Sequence, residues 1–157
     1  MKILGIDPGL AIVGYSIVEN NNDNNTLLAS GSIQTDKTKT DSERLYEIAQ
    51  DMQTVINLYK PDVASIEKLF YFKNQKTVIP VAEARGIILA VLEKNHIPIW
   101  EYTPMEVKQI ITGYGRATKE EVAKIVEMSI KYNKLPKLDD TVDSIAIALC
   151  YARNIRN

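Results

Sequence analysis

The chain has little of what usually marks a soft-metal or redox centre. Its 157 residues include one cysteine and one histidine. A lone Cys150 excludes an internal disulfide, and one His96 without a cysteine pair leaves zinc no ligand set. Cys150 ends the apolar run Ile145-Ala146-Ile147-Ala148-Leu149-Cys150, which predicts a buried, inert thiol. No apolar run approaches the roughly 18 residues of a membrane span. Asp7-Pro8 comes too soon for a signal peptide, so a reducing, cytoplasmic setting with no membrane partner is expected. Charge of one sign is also missing: the net charge is −1, which gives no general attraction to nucleic acid.

What is present is ordinary in bulk and uneven in detail. Hydrophobic residues are 45% and charged residues 25%, as in a globular domain, and the length suits a single domain over 1–157. Positive charge is gathered in two stretches. Residues 68–76 carry Lys68, Lys73 and Lys76 and no acid. Residues 104–138 carry seven Lys and Arg, among them Lys108, Arg116 and Lys119, against four Glu. Such stretches equally describe a solvated surface.

Four acids interrupt hydrophobic runs, where an unpaired charge is costly to bury. Asp7 ends the strand-like Lys2-Ile3-Leu4-Gly5-Ile6-Asp7, and Glu67 ends Asp62-Val63-Ala64-Ser65-Ile66-Glu67. Asp140 and Asp143 open an apolar C-terminal helix, three residues apart and so on one face. Oxygen ligands on rigid elements suit magnesium or manganese, the metals of phosphodiester cleavage. Blander readings exist. Asp7 can cap the Pro8-Gly9 turn, and Asp140 can be a helix N-cap, a job for which Asp139 competes. Glu67 resists this, because Glu is depleted in strands and not a turn former. So does Asp143, whose face continues through Ala146 and Ile147.

Hydrophobic spacing sets the expected frame. Residues 11–19 and 26–34, split by Asn20-Asn21-Asn22-Asp23-Asn24-Asn25, predict a hairpin after the first strand. Helical spacing predicts helices over 42–59 and 81–94, with strands ending at Glu67 and over 97–101. A short helix over 105–111 follows, and Thr118 with Glu121 predicts a capping box opening a helix to Tyr132. The last helix spans 140–153. Strands joined through helices favour parallel pairing, which gives an α/β fold: a mixed five-stranded sheet with helices on both faces. The first and fourth strands can then be parallel neighbours, with Asp7 and Glu67 at carboxyl ends.

Several segments in order resemble the RuvC family of Holliday-junction resolvases. They are Gly5-Ile6-Asp7-Pro8-Gly9, Gly14-Tyr15, Pro61-Asp62 through Ile66-Glu67 to Phe70, Lys73-Asn74 and Ala84-Arg85-Gly86. Val107-Lys108-Gln109, Gly113-Tyr114-Gly115 with Lys119, and Asp140-Thr141-Val142-Asp143 with Ala146-Ile147-Ala148 complete the series. The resemblance implies a ribonuclease-H-like fold, a homodimer, and magnesium-dependent nicking of four-way DNA junctions in recombination and repair. It implies two metal ions per site, with manganese able to substitute, and 5′-phosphate and 3′-hydroxyl products. The family's four acids fall on Asp7, Glu67, Asp140 and Asp143. Its basic positions fall on Lys108 and Lys119, its aromatic wedge on Phe70, and its dimer helix on 81–94; branch-migration machinery is the implied partner. Lys73, Lys76 and Arg116 join Phe70, Lys108 and Lys119 as expected DNA contacts. Asp139 departs from the pattern, and the D-x-x-D spacing favours Asp140 over it as the ligand.

Three other readings share some of these features. A ribonuclease-H-like nuclease acting on structured RNA could use the same acids. An actin-like ATPase domain also begins with a strand, an Asp and a Gly turn, but needs a second domain for which 157 residues leave no room. A junction-binding protein without chemistry would not need the complete acid set.

Overall fold

The computed structural model describes residues 1–22, 24–69, 75–132 and 141–155, the side chains of 75–77 excepted. The elements run β1 (Lys2–Asp7), β2 (Ile12–Asn21), β3 (Asn24–Gln34), α1 (Asp41–Tyr59), β4 (Val63–Glu67) and α2 (Gln75–Lys94). Then come β5 (Ile99–Tyr102), α3 (Pro104–Thr112), α4 (Lys119–Ser129) and α5 (Val142–Asn154). The five strands form one sheet in the order β3-β2-β1-β4-β5. β1 is antiparallel to β2 and parallel to β4, and β4 is parallel to β5. The α/β architecture is the one expected, including the β1–β4 parallel pair.

Alternation along β1 divides the core in two. Ile3 joins Val18, Val63, Tyr102 and the buried faces of α3, α4 and α5 on one side of the sheet. Leu4 and Ile6 join Ile17, Ile66 and the buried faces of α1 and α2 on the other. Cys150 is fully buried, and desolvation pushes its thiol pKa up to about 12, so it is unreactive as expected.

Element ends differ from the sequence-based ranges in physically readable ways. α2 begins at Gln75, not at residue 81, and carries Pro80 inside it. An interior proline normally interrupts a helix, which is why the spacing alone starts it after Pro80; here the helix tolerates the loss of one ladder donor. β5 starts at Ile99, because buried Ile97 belongs to the turn and Pro98 enters only through its carbonyl, which accepts from Ala64 N. α4 ends at Ser129, and Lys131 instead makes a parallel bridge to Thr26 on the outer strand β3. The N-cap of α5 is Thr141, which makes no side-chain capping bond.

Candidate active site

Two parallel neighbours end side by side. The β1–β4 register runs to Ile6 opposite Ile66, so the next residues, Asp7 and Glu67, end their strands at the same carboxyl edge. α5 brings a third acid to that edge from its first turn, Asp143. Close approach of α5 to the sheet makes this possible. A Cβ at Gly5 would overlap the Ser144 carbonyl oxygen and stand 2.8 Å from both the Ala148 Cβ and the Ser16 Oγ, so only glycine fits under the helix. Ser65, fully buried on β4, donates its hydroxyl to the Ile147 carbonyl at 2.6 Å. Ser144 Oγ donates to the Thr141 carbonyl at 2.8 Å, which steadies the first turn. The Thr141 and Ser16 hydroxyls are buried with no hydrogen-bond partner among the described residues.

Two further helix starts close the site. Thr103 and Thr118 each form a complete capping box, with Glu106 and Glu121, and set the first turns of α3 and α4. The result is an open cleft of about 320 Å³, lined by Asp7, Glu67 and Asp143, by Lys108 and Lys119, and by Pro104, Val107, Val122 and Ile147. Lys119 is the first residue of α4, where a cation opposes the helix dipole. Its ammonium lies 3.5 Å from Asp143, but the lysine is 83% exposed, so the pair adds little to stability. The placement therefore makes sense as charge delivered to the cleft.

Glu67 shows what the cleft does to its acids. Its pKa is pushed up to about 7, first by desolvation, then by the negative charge of Asp7 and of Asp143; Lys119 opposes the shift. A buried carboxylate whose proton affinity is raised by two neighbouring acids marks a site that favours positive charge. Among the described residues, no three His, Cys, Asp or Glu side chains stand close enough together to hold a metal ion. The donor chemistry, all oxygen and net negative, nevertheless suits a hard divalent cation.

Of the residues singled out from the sequence, Asp7, Glu67, Asp143, Lys108 and Lys119 meet in this cleft. Arg116 is exposed on the loop before α4 and is not among the cleft-lining residues. Phe70, Lys73, Asp140 and its neighbour Asp139, and the side chain of Lys76, lie outside the described residues. Sequence reasoning assigned no role to Gly5 or Ser65. Their signal was faint: small residues two places before each strand-end acid, on the acid's own face of the strand.

The family model described as crossover junction endodeoxyribonuclease RuvC matches residues 3–151. The chain is similar to the crossover junction endodeoxyribonuclease RuvC of Caldicellulosiruptor saccharolyticus, with 43% identity over 152 residues, covering 96% of this chain and 92% of that one. It is 44% identical to the protein of the same description from Halothermothrix orenii over 156 residues, covering 99% and 94%. Among solved structures, Thermus thermophilus RuvC in complex with Holliday junction substrate superposes with a TM-score of 0.91 at 29% identity, covering 99% of this chain and 95% of that one.

Proposed function

The chain belongs to the RuvC family of crossover junction endodeoxyribonucleases, and from that premise we propose that it resolves four-way DNA junctions by paired, symmetric phosphodiester hydrolysis. The observation that carries this reading is the meeting of Asp7, Glu67 and Asp143 with Lys108 and Lys119 in one open cleft. A phosphodiester resists attack because its oxygens repel the nucleophile and the leaving alkoxide is poor. Asp7, Glu67, Asp143 and, by its place in the D-x-x-D pair, Asp140 would hold two magnesium ions, or manganese in their place. Bound there, the metal supplies an activated water and stabilisation of the leaving oxygen. Lys119, beside Asp143 at the cleft wall, places positive charge where the scissile phosphate would collect negative charge. Lys108 shares that wall and grips a neighbouring phosphate. The products are a 5′-phosphate and a 3′-hydroxyl, ends that can be rejoined during recombination and repair.

Two matching cuts on a nearly two-fold substrate call for two matching sites, hence a homodimer. The outer side of α2 is suited to meet a second copy: Ile79 is 67% exposed, and a Cβ at Gly86 would meet nothing within 4 Å. Phe70, Lys73, Lys76 and Arg116 complete the proposed DNA contacts, with branch-migration machinery attending.

The test is cleavage of a synthetic mobile four-way junction beside plain duplex and structured RNA. The wild type should nick the junction in magnesium and fall silent in EDTA. Asp7→Asn and Glu67→Gln should each lose at least about a hundredfold in rate, the scale on which misplaced catalytic groups fail. Magnesium-dependent cutting by Asp7→Asn at the wild-type rate would sink the mechanism.

A further inference from the structure

The one donor that the sheet withholds from Glu67 comes instead from Arg85. The Ala64 N–H donates to the Pro98 carbonyl at 2.9 Å, and the Lys68 N–H to the Tyr102 carbonyl at 2.7 Å. Even-numbered residues of β4 therefore turn their main-chain groups toward β5, and Ser65 and Glu67 turn theirs toward β1. With Gly5 opposite Ser65 and Ile6 opposite Ile66, the ladder donor for the Glu67 carbonyl would be the N–H of residue 8. Residue 8 is Pro8, which has none. Arg85 Nε donates to that carbonyl at 3.2 Å. The same guanidinium is ion-paired with Glu101 on β5, and the Arg85 side chain is only 16% exposed.

Arg85 reaches this point from α2, which packs on the sheet face away from the cleft, through Ala84 and Ile88. It is not among the cleft-lining residues. A planar guanidinium with fixed donor directions suits a two-point tie of this kind, and a lysine ammonium does not. We propose that Arg85 is a positioning residue for Glu67: it stands in for the ladder donor lost at Pro8, ties the ends of β4 and β5 together, and so fixes the Glu67 carboxylate relative to Asp7. This rests on the proposed role of Glu67 in junction cutting.

Arg85→Ala and Arg85→Lys separate the role from simple scaffolding and from DNA contact. Arg85→Ala should slow single-turnover junction cleavage by about ten- to a hundredfold, as loss of reacting geometry does. Its junction affinity in EDTA should stay within about twofold of the wild type, because the arginine lies on the opposite face of the sheet. The magnesium concentration for half-maximal rate should rise severalfold. Arg85→Lys, which keeps a positive charge toward Glu101 but withdraws the Nε donor, should fall between. Pro8→Ala in the Arg85→Ala background restores a main-chain N–H at the ladder position and should recover part of the rate. The magnesium-induced rise in Tm should shrink in Arg85→Ala, a readout that does not need cutting.

Wild-type rate and magnesium requirement in Arg85→Ala overturn the proposal; if that variant does not fold, the same result in Arg85→Lys does so. A fall in rate matched by an equal fall in junction affinity overturns it too, in favour of a DNA contact. So does a folded double variant with no recovery. A wild type inert on junctions would defeat the functional reading instead, and the magnesium-induced Tm rise would still decide for or against Arg85.

Discussion

Glu67 is the residue whose surroundings say most about what it does. An ordinary glutamate would be ionised at neutral pH; this one is raised to about 7 by burial and by Asp7 and Asp143. The sign of the stability effect follows. The folded state holds the proton more tightly than the unfolded chain, so the contribution is fully present below the unfolded value near 4.5 and is lost as pH rises through about 7. That rise in pKa corresponds to roughly 3 kcal/mol of cost for the ionised form at high pH. Glu67→Gln removes that cost. In EDTA its Tm should exceed the wild type's at about pH 8, and the gap should close toward about pH 5. Magnesium should narrow the gap at about pH 8 by favouring the wild-type carboxylate. Thermal unfolding followed by circular dichroism across that range checks this. A Gln variant less stable than the wild type at high pH in EDTA would mean that the cleft already neutralises its acids.

At the scale of elements, the site depends on how closely α5 lies on β1. Gly5 leaves no room for a methyl group beneath the Ser144 carbonyl. Gly5→Ala must therefore shift α5 or strain the sheet, at roughly 1–3 kcal/mol, the usual range for overpacking. Because α5 carries Asp143, cutting should fall far more than stability, and chemical denaturation beside the junction assay separates the two losses. Ser65→Ala removes only one hydroxyl bond to Ile147 and should cost about 1 kcal/mol. The parts of this arrangement legible in the sequence were those written in local pattern. β1 was readable residue for residue from its alternation and its Asp-Pro-Gly ending, and α4 from the Thr118–Glu121 box. The strand-end positions of Asp7 and Glu67 followed from the order of the elements. What was not legible was tertiary. The start of α2 ahead of Pro80 goes against the local proline signal. The Ser65 bond joins residues 82 apart, and the Arg85 tie depends on a register that no single segment specifies.

On the scale of the whole molecule, the proposed function asks a chain of net charge −1 to hold a polyanion. Its cleft adds to the difficulty, since three acids line it against two lysines. On the proposed function, attraction would come from a few localised cations, Lys108, Lys119 and Arg116 with the Lys68–Lys76 stretch, and from the cations proposed to sit on the acids. Each phosphate neutralised contributes about 0.9 to the slope of log affinity against log salt. Engagement of about four such cations gives a slope near −3.6, and roughly a hundredfold loss of affinity for a fourfold rise in salt. The acids make a second, sharper expectation. In EDTA they would repel the phosphate, so Asp7→Asn, expected not to cut, should bind the junction more tightly than the wild type at low salt. Calcium, which fills oxygen sites, should tighten the wild type more than the variant. Fluorescence anisotropy on a labelled junction from about 50 to 200 mM salt, with EDTA or calcium, measures both effects. A flat salt dependence would show that the junction is held by contacts other than charge, and equal affinities of the two proteins in EDTA would show that the acids are neutralised before DNA arrives.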